Sequence, residues 1–256
     1  MFVQTSLVLL TASLVSARAV VERASAPTAT VYSRCTVPNT VALTFDDGPY
    51  KYMKDISDVL TANNAKGTFF VNGYNYDCIY DKDVVARLQY TYTQGHQICS
   101  HTWSHPHLTE LNSTQITNEL VELDTALYKI LGIQPYFLRP PYGEYDDLVR
   151  QMAYQQNKGL VLWDFDSGDS IGATLQESEA AYDNVTASHP PNLLALNHET
   201  EKTTAKNLTL YAITELKNAG YNLVTVAECL GLQPYSIVGA LGTSDSTWFC
   251  PEDQHD

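Results

Sequence analysis

No CxxC pair occurs among the five cysteines of this 256-residue chain, which excludes a cysteine-rich zinc site. Basic residues are scarce. Fifteen lysines and arginines face 29 acidic residues, a formal net charge of −14, and such a chain offers no basic face to nucleic acid or an anionic membrane. Neutral or cationic ligands are favoured. Beyond the N-terminus no stretch approaches the ~20 apolar residues of a membrane helix, so the mature chain is expected to be soluble. The C-terminal "CPEDQHD" lacks the hydrophobic segment of a glycosylphosphatidylinositol signal. No linker-like stretch interrupts the chain either, and its length suits one α/β barrel domain.

Residues 1–19 hold a short apolar run, Leu7 to Val15, ending in Ala17-Arg18-Ala19, and are read as a secretory signal peptide despite an n-region without lysine or arginine. An N-terminal segment (20–35), a catalytic domain (36–230) and a tail (231–256) packed back onto it follow. Three Asn-x-Ser/Thr triplets, Asn112, Asn184 and Asn207, are candidate glycan sites, although Asn112 could equally cap the helix after it. In an oxidising compartment five cysteines make two disulfides and one free thiol. Cys35 and Cys229 flank the first and last strands and are assigned to each other. Cys78 is assigned to Cys250, which leaves Cys99 as a small buried apolar residue.

Short apolar runs alternate with helix-length amphipathic segments. The runs are 41–45, 67–71, 96–100, 136–139, 160–164, 193–197 and 221–226. The clearest helix is Thr114 to Leu131, where Ile116, Leu120, Leu123 and Leu127 recur at spacings of three and four, with Asn112 or Ser113 capping its start and Gly132 its end. This alternation predicts βαβ units and a parallel sheet, hence an incomplete or distorted barrel, with an open doubly wound sheet as second choice.

Polar residues follow nearly every run: Asp46 and Asp47, then His101 and His105, Arg139, Asp164 and Asp166, and His198. In a barrel the C-terminal strand ends meet at one face, so residues spread over 150 positions converge there. The i, i+4 spacing of His101 and His105 predicts two imidazoles on one side of a helical turn. With a carboxylate from a neighbouring strand end they would hold a divalent metal and leave positions open for water and substrate. His96 is expected to be structural, and His107, His189 and His255 are assigned no role.

"TFDDGP", "HTWSH", "RPPYG", "DFDSGD" and "LALNH", in this order, resemble the five motifs of the NodB-type polysaccharide deacetylases, carbohydrate esterase family 4. "GTFFVNG", "GHQICSHTWSHPHL" and "VAECLG" are most similar to its secreted fungal chitin deacetylases. The resemblance covers about residues 35–231 and implies a distorted (β/α)7 barrel that hydrolyses N-acetyl groups with the help of a metal. It implies that Asp47, His101 and His105 hold the ion, zinc or alternatively cobalt. Asp46, tuned by Arg139, would then be the general base toward an ion-acidified water. The Tyr142 N–H would help hold the oxyanion, and His198, oriented by Asp166, would be the general acid. Trp103, Tyr142 and Leu196 are expected to line the acetyl pocket, and Tyr74 and Tyr76 to stack on flanking sugars. One departure is plain: Ser170 follows Asp169 where the family commonly has a tryptophan.

Chitin and chitooligosaccharides are the expected substrates, with acetylated xylan the main competitor, and cationic chitosan is a ligand suited to the acidic charge. A secreted monomer, extracellular or in the cell wall, is expected. A non-catalytic carbohydrate-binding descendant would be expected to lose the base, a ligand or the acid. All of Asp46, Asp47, His101, His105 and His198 are present, which favours an enzyme.

Overall fold

The computed structural model describes residues 26–250; the expected signal peptide, residues 20–25 and residues 251–256 lie outside the described residues. In chain order the elements are β1 (Val31–Tyr32), β2 (Thr40–Gly48), α1 (Met53–Ala62), β3 (Gly67–Val71), α2 (Lys82–Thr93), β4 (Gln97–Ser100), α3 (Ser113–Leu131), β5 (Ile133–Pro135), β6 (Phe137–Leu138), α4 (Asp147–Gln155), β7 (Gly159–Val161), β8 (Phe165–Asp166), α5 (Leu175–Ser188), β9 (Asn192–His198), α6 (Thr209–Asn218), β10 (Asn222–Leu223), α7 (Val226–Leu230) and β11 (Tyr235–Val238). Each apolar run overlaps a strand. The helix expected from residue 114 begins one residue earlier, with Asn112 closing a capping box with Gln115 and Gly132 as the left-handed C-cap.

The main sheet runs β1-β7-β6-β4-β3-β2-β9-β8, with β10 also on β2, and every pairing in it is parallel. β7 lies near one end of this order and β8 at the other, yet residues 162–164 alone separate them in the chain. The sheet must therefore curl until its ends nearly meet, giving the distorted barrel. A second pairing, β5 with β11, is antiparallel and lays part of the tail on the domain.

Strand side chains alternate, so the sheet has two buried faces. Leu43, Phe45, Phe69, Ile98, Leu193 and Ala195 pack with the helices in the larger apolar cluster. Their neighbours Ala42, Phe70, Cys99 and Leu194 form a separate cluster. The second parity continues along β2 and β9 to Thr44 and Asp46 and to Leu196 and His198, and the register pairs Thr44 with Leu196 and Asp46 with His198. Parity and register together place the last two residues side by side at the mouth of the barrel. Cys35 is bonded to Cys229 and Cys78 to Cys250, and Cys99 is a buried free thiol whose ionisation burial strongly disfavours.

Candidate active site

Alternation alone would turn Asp47 away from Asp46. The β2–β3 register shifts between Asp46 and Gly48, and Asp47 takes the left-handed conformation (φ 73°), so the irregularity re-aims its carboxylate toward the histidines. Asp47 Oδ1 lies 3.5 Å from His101 Nε2 and 3.4 Å from His105 Nε2. The turn after Asp47 is closed by a residue not anticipated from the sequence. Glu199 is fully buried, its Oε1 accepts from the Tyr50 N–H at 2.6 Å, and its carboxyl fills the space beside Gly48, where a Cβ would stand 2.2 Å from it. Burial pushes the Glu199 pKa up to about 8, which favours the neutral acid.

The two histidines do not share a helical turn as their spacing suggested. Thr102 and His105 are left-handed (φ 73° and 60°), and the segment is a loop pinned by Asn72, which donates to the carbonyls of His101 and Thr102, and by Thr102 Oγ1, which accepts from the His105 N–H. This loop brings the imidazole centroids to 4.9 Å all the same. His101 Nδ1 lies 2.7 Å from the Arg139 carbonyl, to which it donates, and this leaves the Nε2 lone pair facing Asp47.

Arg139 is wholly buried. Its guanidinium donates to Asp46 Oδ1 at 2.7 Å, Thr44 Oγ1 at 2.6 Å and the carbonyls of Val161 and Leu162, and it lies over the Phe70 ring. A buried guanidinium is tolerable because each face of it is paired. Asp46 is thereby fixed, with its Oδ2 3.8 Å from His101 Nε2.

His198 is held by Asp169, not by Asp166. Asp169 Oδ1 meets His198 Nδ1 at 2.8 Å, while Oδ2 accepts from the His198 N–H and the Thr204 hydroxyl, both at 2.7 Å. Asp166, at the end of β8, is exposed and accepts from the Gly168 N–H; left-handed Gly168 then turns the chain so that the third acid of "DFDSGD" reaches the histidine. Asp166 still borders the cavity. Burial opposes the charge on His198, but Asp169 and then Asp46 and Asp47 outweigh it and raise the pKa to about 9. For Asp47, burial is likewise outweighed, by His101, His105 and His198, and the carboxyl is held at about 2. Burial, reinforced by His101, lowers His105 to about 4 and keeps its imidazole neutral.

These groups open into a cavity of about 500 Å³, lined also by Tyr142, Trp163, Ile171 and Leu196. Tyr142 is left-handed (φ 59°), contacts the His105 ring edge on and stacks on His107 at 4.0 Å, which gives His107 a contact that sequence reading did not assign. Trp103 is not in the wall: it is 4% exposed and packs beneath Gly73 in the core. Tyr74 also lies outside this cavity, whereas Tyr76 borders it. Where Ser170 departs from the family pattern, Trp163 from the β7–β8 connection and Ile171 from the residue after supply apolar surface.

Asp47 Oδ1 is buried and has no hydrogen-bond partner, an arrangement that needs a cation. Together with His101 and His105 it forms a group whose donor atoms lie within 4.8 Å of one another. Donors 3.4–3.5 Å apart match two atoms each about 2.1 Å from one tetrahedral ion. The residues therefore fit a divalent metal with two nitrogens and one oxygen.

A curled parallel sheet with a carboxylate–imidazole group that fits a metal, an arginine-held carboxylate and an aspartate-held histidine at its mouth is suited to metal-assisted hydrolysis. Residues 33–161 match the polysaccharide deacetylase family. The chain is 39% identical over 216 residues to a chitin deacetylase of Pestalotiopsis sp, covering 82% of this chain and 70% of that protein. It is 38% identical over 208 residues to a chitin deacetylase of Arthroderma benhamiae, covering 80% of this chain but 55% of that one. The structure of the chitin deacetylase of Colletotrichum lindemuthianum superposes with a TM-score of 0.77 at 29% identity, over 85% of this chain and 98% of that one. The chain belongs to the polysaccharide deacetylase family.

Proposed function

We propose that this protein removes N-acetyl groups from chitin or chitooligosaccharides, releasing acetate and leaving free amines. The observation that carries the reading is the presence, around one cavity, of a complete set: a metal-holding group, a base and an acid, each with its own fixed partner. Asp47, His101 and His105 would hold the ion, with zinc first and cobalt second by donor chemistry. When bound, the ion supplies a water made acidic at neutral pH and polarises the acetyl carbonyl.

Asp46 takes the proton of the attacking water, its Oδ1 anchored by Arg139 so that Oδ2 faces the histidines. The Tyr142 N–H donates to no protein acceptor among the described residues and serves the developing oxyanion. His198, kept protonated by Asp169, gives its Nε2 proton to the departing amine, which is a poor leaving group until protonated. Leu196, Trp163 and Tyr142 pack on the acetyl methyl and the sugar face. The three asparagines of the glycan triplets are exposed and the two disulfides suit an oxidising compartment, which supports secretion.

Acetate release from acetylated chitin oligomers and from acetyl-xylan, followed in parallel, tests the substrate. Faster release per acetyl group from the chitin oligomers is expected; release from xylan alone would overturn the reading.

A further inference from the structure

Tyr142 holds a backbone conformation that a tyrosine resists. Its φ of 59° and ψ of 5° lie in the left-handed region, and left-handed Gly143 (φ 71°) follows it. For a bulky residue this geometry is strained and persists only where the surroundings impose it. Burial does not impose it here, because Tyr142 is 55% exposed. The Gly143 N–H donates to the Pro140 carbonyl at 3.0 Å and the Glu144 N–H to the Pro141 carbonyl at 3.1 Å, which closes the turn but leaves the Tyr142 ring to other contacts.

Two imidazoles supply them. His105 meets the ring edge on, with centroids 4.7 Å apart, and His107 lies flat against it at 4.0 Å with 13° between the planes. His107 is itself braced, since its Nδ1 lies 2.9 Å from Glu144 Oε2, two residues past Tyr142 on the same turn. The segment 142–144 therefore grips this imidazole by a ring and by a carboxylate. The loop that carries His107 is fixed on both sides: the Ser104 N–H and hydroxyl donate to Glu119 at 2.8 and 2.7 Å, and Leu108 is wholly buried. From below, Gly143 packs on Trp163 so closely that a Cβ would stand 2.9 Å from the indole. His107 and Glu144 are each 46% exposed, and a pair so exposed adds little to global stability, so the effect of the clamp is local.

We propose that His107 is a positioning residue for the oxyanion donor: stacked on Tyr142 and braced by Glu144, it keeps Tyr142 in the left-handed conformation that presents its N–H to the reacting carbonyl. This role rests on the hydrolytic reading of the cavity. His107 touches neither the ion nor the substrate in it and acts through Tyr142 alone.

The test compares His107→Ala, His107→Phe, Glu144→Ala and the His107→Ala, Glu144→Ala double variant with wild type. Acetate release from acetylated chitohexaose gives kcat and KM, competition with a chelator gives zinc affinity, and hydrogen exchange by mass spectrometry follows the 139–146 segment. His107→Ala should lower kcat by about tenfold, the size of one aromatic contact and less than the loss of an oxyanion donor outright, with KM, zinc affinity and thermal midpoint unchanged. His107→Phe keeps a flat ring and should recover most of the rate. Glu144→Ala should cost a smaller factor alone and nothing further beside His107→Ala, because the two act as one unit. An unchanged kcat in His107→Ala, or a His107→Phe no better than it, would overturn the clamp, as would a matching loss of zinc affinity, which would assign His107 to the metal loop. If the wild type releases no acetate, the hydrolytic reading fails separately; exchange then decides, faster exchange over 139–146 in His107→Ala but not in His107→Phe supporting the clamp and equal exchange in all variants overturning it.

Discussion

Adjacent Asp46 and Asp47 look like a repulsive pair until their partners are counted. Asp46 is neutralised by a buried guanidinium, and Asp47 faces two imidazoles. The two positions should therefore fail differently. Asp47→Ala should lose bound metal and activity together, whereas Asp46→Asn should bind metal with turnover reduced by roughly 10²-fold or more; metal content by atomic spectroscopy beside acetate release separates them. His198 gives the second residue-scale prediction. Asp169 is the largest raising influence on its pKa of about 9, so the acid form persists below that value and is lost above it. A cation at Asp47 offsets part of the rise, which puts the alkaline limb of kcat at or below pH 9. Asp169→Asn should move that limb to lower pH and cut kcat by roughly 10²-fold, with metal content intact. An unmoved limb would assign the proton to another group.

At the scale of elements, the turns decide what the strands can present. The runs that become β2 and β9, and the polar residues at their ends, were legible in the sequence; the register that sets Asp46 beside His198 was not. The left-handed residues were not: Asp47, Thr102, His105 and Tyr142 are ordinary residue types, and the bonds that pin the first two turns come from distant residues, Glu199 on Tyr50 after Asp47 and Asn72 on the carbonyls of His101 and Thr102. For this reason the helical turn read from HxxxH proved to be a loop, and Asp166, the acid at the end of β8, proved not to be the one that holds His198. "DFDSGD" did hold a signal, since Gly168 allows the reversal that brings Asp169 back. Glu199 carried a weaker one, an acid directly after a site histidine. The packing of Gly48 against Glu199 leaves no room for a side chain. Gly48→Ala should accordingly weaken zinc affinity by an order of magnitude or more, measured by competition with a chelator, and Gly48→Ala with Glu199→Gly should recover part of it.

For the whole molecule, the barrel's closure was legible only as alternation. The near meeting of β7 and β8 became visible once strand order was known, because no local pattern records which strands are edges. Burial also ties global stability to pH. His96 Nδ1 accepts from the Gly67 N–H and Nε2 lies 3.2 Å from the Ser57 carbonyl, so the ring is neutral with its proton on Nε2. Burial lowers its pKa to about 4. The unfolded chain takes up this proton near pH 6.5 and the folded chain does not, so stability falls as pH drops from about 6.5 to 4, by up to about 3 kcal/mol. Thermal midpoints across that range should decline in the wild type and less steeply in His96→Gln.

The most direct test of the central claim is acetate release from an acetylated chitin oligomer after thorough chelation and then on stepwise return of zinc. Activity should vanish on chelation and recover with about one equivalent of ion per chain, matching the single Asp47–His101–His105 group among the described residues. Activity that survives complete removal of metal would contradict the account.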